Sequence, residues 1–267
     1  GATQSVGSSP TDQSMQFQQD QDAGKFPPAA RFLFMPGMAP PNGGPDAILI
    51  KATSALHVVN EVLTAQEARA AVQAMANKKI KSVKIWVDDR RGTYPKMTPE
   101  VYTAIIDEAH AHQMLVHAHA IALADQKAVV RAGADVLVHI VGNEKIDDEL
   151  LALVREKKPY WTPQLGLGDR SEVCEHDPFV DQTYPEIVIE EIRKEQLPHF
   201  GPSCESRPAN AETRDEMLAN NLTKMVAAGA RLVLGTDAGI DARYAFGWTV
   251  HHEMARWVQL GLAPAQA

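Results

Sequence analysis

Short apolar runs alternate with longer segments of helical periodicity along most of the chain. The apolar runs are rich in β-branched residues and predict strands at Ala2–Val6, 31–36, 82–87, 115–120, 135–140, 160–165 and 231–235. The segments between them predict helices at 64–79, 98–112, 122–132, 146–158, 211–228 and 243–260. This alternation is typical of repeated βα units that build a parallel sheet.

Several of the predicted helices have recognisable ends. Thr64 is followed three residues later by Glu67, which is the spacing of a capping box. Thr98 is a candidate N-cap and is followed by a proline at the first helical position. In "RAGAD" and "AAGAR", Gly133 and Gly229 are placed to end a helix just before the next strand.

The count of βα units favours an incomplete barrel. Eight units close a TIM barrel, whereas the pattern shows seven, so we expect one α/β barrel domain over residues 1–267 with strands 2–8 present and the first strand absent. Residues 166–210, with a short charged helix around 185–196, interrupt the rhythm. They are either a loop on the binding side of the barrel or a surface insertion without a role.

Composition narrows the classes of partner. The 267 residues carry a net charge of -8 and contain no basic run with interleaved aromatics, so we expect a small-molecule substrate and no nucleic acid. No apolar run is long enough for a membrane helix, and two cysteines are too few for a disulfide framework. The chain starts at Gly1 and stops within "GLAPAQA", which suggests a piece of a longer protein; its compartment and homo-oligomerisation stay open.

Four polar residues stand at or near the carboxyl ends of predicted strands, where barrels of this type build their sites. They are Lys84 in "KSVKIWVDD", His119 in "LVHAHA", His139 in "DVLVHIVG" and Asp237 in "LVLGTDAG". A lysine inside an apolar strand must be neutralised, paired or modified, and histidine is the commonest metal ligand. Together the four residues predict a metal site.

Each of these residues also has a simpler explanation. Lys84 taken alone fits a rim residue that reaches water, His139 fits a core imidazole bonded to backbone, and Asp237 fits the cap of a turn. His117 shares one strand face with His119, and we favour a core histidine at that position. Because four such polar residues occur at the ends of four different strands, we favour a functional site.

The motifs also carry a family resemblance. "VKIWVDDRRGTYPKMTPEVYTAIIDEAHAHQMLVHAH", "RAGADVLVHIV", "LVLGTDAG" and "HHEMARWVQLGLAPAQA" resemble the metal-dependent amidohydrolase superfamily, in its imidazolonepropionase-like or Xaa-Pro dipeptidase-like branch. The resemblance implies that Lys84 carries a CO₂-derived carboxylate that bridges two divalent metals, expected to be Zn²⁺, and that His119, His139 and Asp237 complete the ligands. The family's first-strand His-X-His and small β-sandwich are missing, so this chain would hold one metal or none.

The resemblance implies a hydrolase of amide bonds in acyl-amino acids, dipeptides or cyclic amides, with Asp237 moving the proton. Further candidates, for substrate binding, are His117, Arg90, Tyr160 and His251. For Arg90 we favour the simpler explanation of a surface ion pair. One alternative is a non-catalytic barrel remnant that binds a ligand or a partner. Another is a metal-free lyase or isomerase that uses the strand lysine as a Schiff base.

Overall fold

The chain has an α/β fold with parallel strands. The computed structural model describes residues 1–27, 29–47, 57–168, 211–238 and 247–267. These residues form two compact units, Gly1–Val138 and His139–Ala267. Most of the 166–210 loop, its charged helix and both cysteines, Cys174 and Cys204, lie outside the described residues. Among the described helices, none combines the length and apolarity needed to cross a membrane.

The first unit contains two groups of parallel strands. A two-stranded sheet pairs β1 (Ala2–Val6) with β2 (Arg31–Met35), and α1 (Thr11–Asp22) lies between them in the chain. The larger group has the order β4-β3-β5-β6-β7, made of β3 (Gly37–Ala39), β4 (Val59–Glu61), β5 (Ser82–Trp86), β6 (Leu115–His119) and β7 (Val136–Val138). The helices are α2 (Ala65–Asn77), α3 (Pro99–Ala111) and α4 (Leu123–Ala132).

The second unit alternates helices and strands in the same way. Its elements are α5 (Asp148–Lys157), β8 (Tyr160–Thr162), a 3₁₀ turn (Gly166–Gly168), α6 (Ala211–Ala227), β9 (Arg231–Leu232) and α7 (Trp248–Gln259). Strands β8 and β9 pair in parallel, with Trp161 opposite Leu232.

The predicted helix ends are confirmed. The Thr64 hydroxyl accepts the backbone N–H of Glu67, and the Glu67 carboxylate accepts the backbone N–H of Thr64, which completes the capping box of α2. The Thr98 hydroxyl likewise accepts the N–H of Val101 at the start of α3. Gly133 ends α4 with φ 101°, a left-handed conformation that glycine adopts without a steric penalty.

Two parts of the first unit differ from the pattern-based prediction. The strand predicted at 31–36 ends at Met35, just before Pro36, which has no N–H to donate. The next strand, β3, begins at Gly37, was not predicted and pairs in the other sheet. Helix α1 escaped prediction because "TDQSMQFQQDQD" has no apolar stripe, and Ser14 is its one buried residue. The short strand β4 was also missed, since three residues are too few for a periodic signal.

Candidate functional site

Lys84 and His119 lie on the same face of two neighbouring strands. In the parallel register, Lys84 is opposite His117 and Trp86 is opposite His119. Since side chains alternate along a strand, all four side chains project from one face of β5 and β6, and the intervening residues project from the other. Lys84 is 3% exposed and His119 is 6% exposed. The structure therefore buries an amine and an imidazole on one face.

Trp86 covers part of this face. The Nζ atom of Lys84 lies 5.1 Å from the centroid of the Trp86 ring, within the range of a cation–π interaction. The ring packs against the bare backbones of Gly7, Gly37 and Gly44. A Cβ atom at Gly37 would stand 2.7 Å from Cζ3 of the indole, and one at Gly44 would stand 3.0 Å from Cδ2. The absence of side chains at the three glycines is what admits the indole.

Asp88 links the histidine to the loop that follows β5. Oδ2 of Asp88 lies 3.4 Å from Nε2 of His119 and 3.4 Å from Nε of Arg90. Oδ1 accepts the backbone N–H of Arg90 at 2.9 Å, and Nη2 of Arg90 donates to the carbonyl of Gly44 at 3.2 Å. A carboxylate behind a histidine is a common way to orient a metal-binding imidazole. Sequence reasoning missed Asp88, although "DD" directly after an apolar strand was an available signal.

The same contacts set the charges of these groups. Burial by itself raises the pKa of Asp88, but the His119 ring, the backbone N–H of Arg90 and the arginine charge outweigh it and lower the pKa to about 2. Burial and, to a smaller extent, the positive charge of Lys84 together lower the pKa of His117 to about 4. Burial also lowers the pKa of His119, against the attraction of Asp88. At neutral pH the carboxylate is ionised and both rings are neutral, which is the form in which imidazole binds metals.

His139 and Asp237 belong to the second unit, and both have left-handed backbone conformations. His139 directly follows β7 with φ 78°, and Asp237 follows β9 with φ 59°. The His139 N–H donates to the carbonyl of Thr162 at 2.9 Å, and its own carbonyl accepts Nε1–H of Trp161 at 2.9 Å. Positive φ in non-glycine residues costs energy and is concentrated at functional sites. The backbone of His139 is thus fixed firmly at the end of a strand.

The four candidates for substrate binding lie in different surroundings. Tyr160 is exposed at the start of β8, where the guanidinium carbon of Arg231 lies 3.8 Å from its ring centroid. His251 is exposed in the first turn of α7. Arg90 pairs with Asp88 as described, but this carboxylate is buried, so the pair is not the surface ion pair that the sequence suggested. His117 is partly buried beside Lys84.

A buried glutamate in α7 was not predicted. Glu253 is 0% exposed, and its Oε1 accepts the N–H of Leu165 at 2.9 Å and Nε1–H of Trp257 at 2.7 Å. Its Oε2 accepts the N–H of Gly166 at 2.6 Å. Burial raises the pKa of Glu253, while the three N–H donors oppose the rise. This carboxylate holds the 3₁₀ turn that follows β8 against α7.

A second cluster of possible metal ligands lies near the ends of β3 and β4. Asp46, His57 and Glu61 each offer one ligand atom, and these atoms lie within 4.8 Å of one another. The sequence gave no signal for this group, because ten residues separate its first two members and no spacing motif joins them.

Comparison with known proteins shows similarity at the level of the fold. No family model matches the chain, and no curated protein matches it. A Xaa-Pro dipeptidase with methionine bound in its active site has 22% identity and a TM-score of 0.65, over 98% of this chain and 60% of that one. An amidohydrolase has 19% identity and a TM-score of 0.63, over 98% and 59% of the two chains. Molinate hydrolase has 17% identity and a TM-score of 0.64, over 96% and 58%.

The chain therefore shares its fold with these three solved enzymes and spans about 60% of the length of the first of them.

Proposed function

We propose that the chain is part of a metal-dependent hydrolase that cleaves amide bonds in small molecules such as acyl-amino acids, dipeptides or cyclic amides. The observation that carries the proposal is the shared, buried face of Lys84 and His119, with Asp88 beside the imidazole. The fold shared with a Xaa-Pro dipeptidase and an amidohydrolase supports the same class of reaction. The proposal includes a (β/α)₈-type barrel as the complete scaffold.

The groups present in the first unit suit a metal. A neutral, buried imidazole is a ready ligand, and a buried amine that reacts with CO₂ becomes a carboxylate with two ligand oxygens. In the proposal, Lys84 in this modified form, His119, His139 and Asp237 hold the metal, which we expect to be Zn²⁺. When bound, the metal lowers the pKa of a water molecule and polarises the substrate carbonyl.

Residues of the chain carry out the proton transfer and position the metal ligand and the substrate. Asp237 accepts a proton from the attacking water and delivers it to the amide nitrogen, so that the C–N bond breaks and a neutral amine leaves. Asp88 orients His119, and the indole of Trp86 keeps water away from one side of Lys84. Arg90 has further N–H donors beyond those engaged by Asp88 and Gly44, and we assign it to a substrate carboxylate.

The test measures metal content and hydrolysis together. Elemental analysis and an assay panel of acyl-amino acids, Xaa-Pro dipeptides and lactams would be applied to residues 1–267 and to a chain extended by the preceding coding sequence. Lys84→Ala and His119→Gln should each lower the amount of bound metal and abolish activity. The matched controls Lys81→Ala and His112→Gln remove exposed residues of the same types and should change neither.

Two results would contradict the proposal. One is the absence of bound metal from both chains after incubation with Zn²⁺ and bicarbonate. The other is a Lys84→Ala variant that hydrolyses amides as fast as the unmodified chain. Borohydride trapping of a carbonyl substrate on Lys84 would instead establish Schiff-base chemistry on the same fold.

A further inference from the structure

Asp46, His57 and Glu61 meet at an edge of the first unit that the proposed hydrolytic site does not use. Glu61 is the last residue of β4, and Asp46 and His57 lie in the connection that leads from β3 to β4. One ligand atom from each side chain lies within 4.8 Å of the other two. Small side-chain rotations would bring three atoms at this spacing around a single cation.

Asp46 supplies the decisive observation. It is 0% exposed, and its Oδ1 accepts the backbone N–H of Val58 at 2.9 Å. Its Oδ2 is also buried, yet it accepts no hydrogen bond from any residue in the described part of the chain. This oxygen points towards His57, whose Nδ1 is 3.3 Å away. A buried carboxylate oxygen without a donor is costly, and a cation would compensate it.

The other two groups complete a suitable set of ligands. Oε1 of Glu61 accepts the backbone N–H of Asn42 at 3.0 Å, which holds this carboxylate beside the cluster. The side chain of His57 is 56% exposed, so solvent can fill any open coordination position. Two carboxylates and a neutral imidazole carry two negative charges, which balance a divalent cation. A mixed nitrogen and oxygen set suits Zn²⁺ better than Mg²⁺ or Ca²⁺, which prefer oxygen ligands alone.

We propose that Asp46, His57 and Glu61 form a divalent-metal site, best suited to Zn²⁺, that is separate from the Lys84–His119 face. The metal ties the buried carboxylate of Asp46 to the end of β4, and through His57 it also holds the part of the connection just before β4. Val58, whose N–H contacts Asp46, belongs to the apolar cluster that contains Trp86. The site therefore stabilises the wall on which the indole packs.

The test titrates Zn²⁺ alone into the full chain in competition with a chromophoric chelator, and then repeats the titration with variants. His57→Gln removes an exposed ligand, so folding should be unaffected. Asp46→Asn keeps an oxygen that can accept the N–H of Val58. Each change should weaken one Zn²⁺ site by more than about tenfold, since even indirect contacts to a metal are commonly worth that much. The matched control is His112→Gln, because within the described part of the chain the carboxylate paired with His112 is that of Glu108 alone, at 3.2 Å.

A double variant, Lys84→Ala with His119→Gln, separates this site from the proposed hydrolytic site. The double variant should retain the Zn²⁺ site that depends on His57, even if the hydrolase proposal fails. In this double variant, addition of Zn²⁺ should raise the thermal midpoint, and it should no longer do so once His57→Gln is added. The proposal is overturned if the unmodified chain binds no Zn²⁺, or if its Zn²⁺ affinity is unchanged by both His57→Gln and Asp46→Asn.

Discussion

His117 should make the folded chain sensitive to mild acid, and His117→Gln should remove that sensitivity. Burial and the charge of Lys84 lower the pKa of His117 to about 4, whereas an unfolded histidine titrates near about 6.5. The unfolded chain therefore takes up this proton first. The stability that depends on the neutral ring is fully present above pH of about 6.5 and is lost as the pH falls towards about 4.

The size of the effect follows from the difference between the two pKa values. A difference of about 2.5 units at 1.36 kcal/mol per unit corresponds to about 3 kcal/mol. Urea denaturation from about pH 7 to about pH 4 should show the unmodified chain losing this much more free energy of unfolding than His117→Gln. His112→Gln, which removes an exposed histidine, should lose as much as the unmodified chain.

A further variant tests the electrostatic part of the argument. Since the charge of Lys84 contributes to the lowered pKa, Lys84→Met should reduce the acid-dependent loss without abolishing it. The reasoning fails if His117→Gln and the unmodified chain lose stability in parallel, because His117 would then hold its proton equally well in both states.

Three other changes probe the packing, the buried carboxylate and the helix caps. Gly37→Ala would place a Cβ atom 2.5 Å from the backbone oxygen of Gly7 and 2.7 Å from the Trp86 ring, and it should lower stability by about 1–3 kcal/mol in thermal unfolding. Gly142→Ala, where the nearest atom would be 3.9 Å away, should be nearly neutral, and equal effects of the two changes would refute the overpacking argument. Glu253→Gln puts an amide NH₂ opposite an N–H donor and should lower the free energy of unfolding by about 1–3 kcal/mol. Hydrogen exchange in the 3₁₀ turn after β8 should become faster, and unchanged exchange there would contradict the role of Glu253. Thr64→Ala removes the capping hydroxyl of α2 and should lower the free energy of unfolding in urea by about 1 kcal/mol, and an unchanged midpoint would show that the cap is dispensable.

The elements and site residues that could be predicted depend on local signals. Lys84 and His119 stood out because a polar group in an apolar strand needs an explanation, and the strand period then put His117 and His119 on one side. Thr64 and Thr98 were identifiable as caps because the capping geometry involves only residues three positions apart.

The features that could not be predicted depend on contacts between distant parts of the chain. Glu253 is buried because it meets backbone N–H groups 87 and 88 positions away in the sequence, which no local pattern encodes. The proximity of Asp46 to Glu61 also could not be predicted, because it arises only when β3 and β4 pair. The division of one apolar run into β2 and β3 depends on which partners each half finds, and the sequence signals only that Pro36 interrupts the ladder.

The packing of Trp86 on three glycines also constrains how such a chain can evolve. A methyl group added at position 37 collides with the indole and also with the backbone oxygen of Gly7, so a smaller residue at position 86 relieves only part of the clash. Gly7 and Gly44 have positive φ values, which side chains rarely adopt, so we expect related chains that keep the tryptophan to keep all three glycines. Anyone wishing to enlarge the space above Lys84 for a bulkier substrate should begin by shortening Trp86.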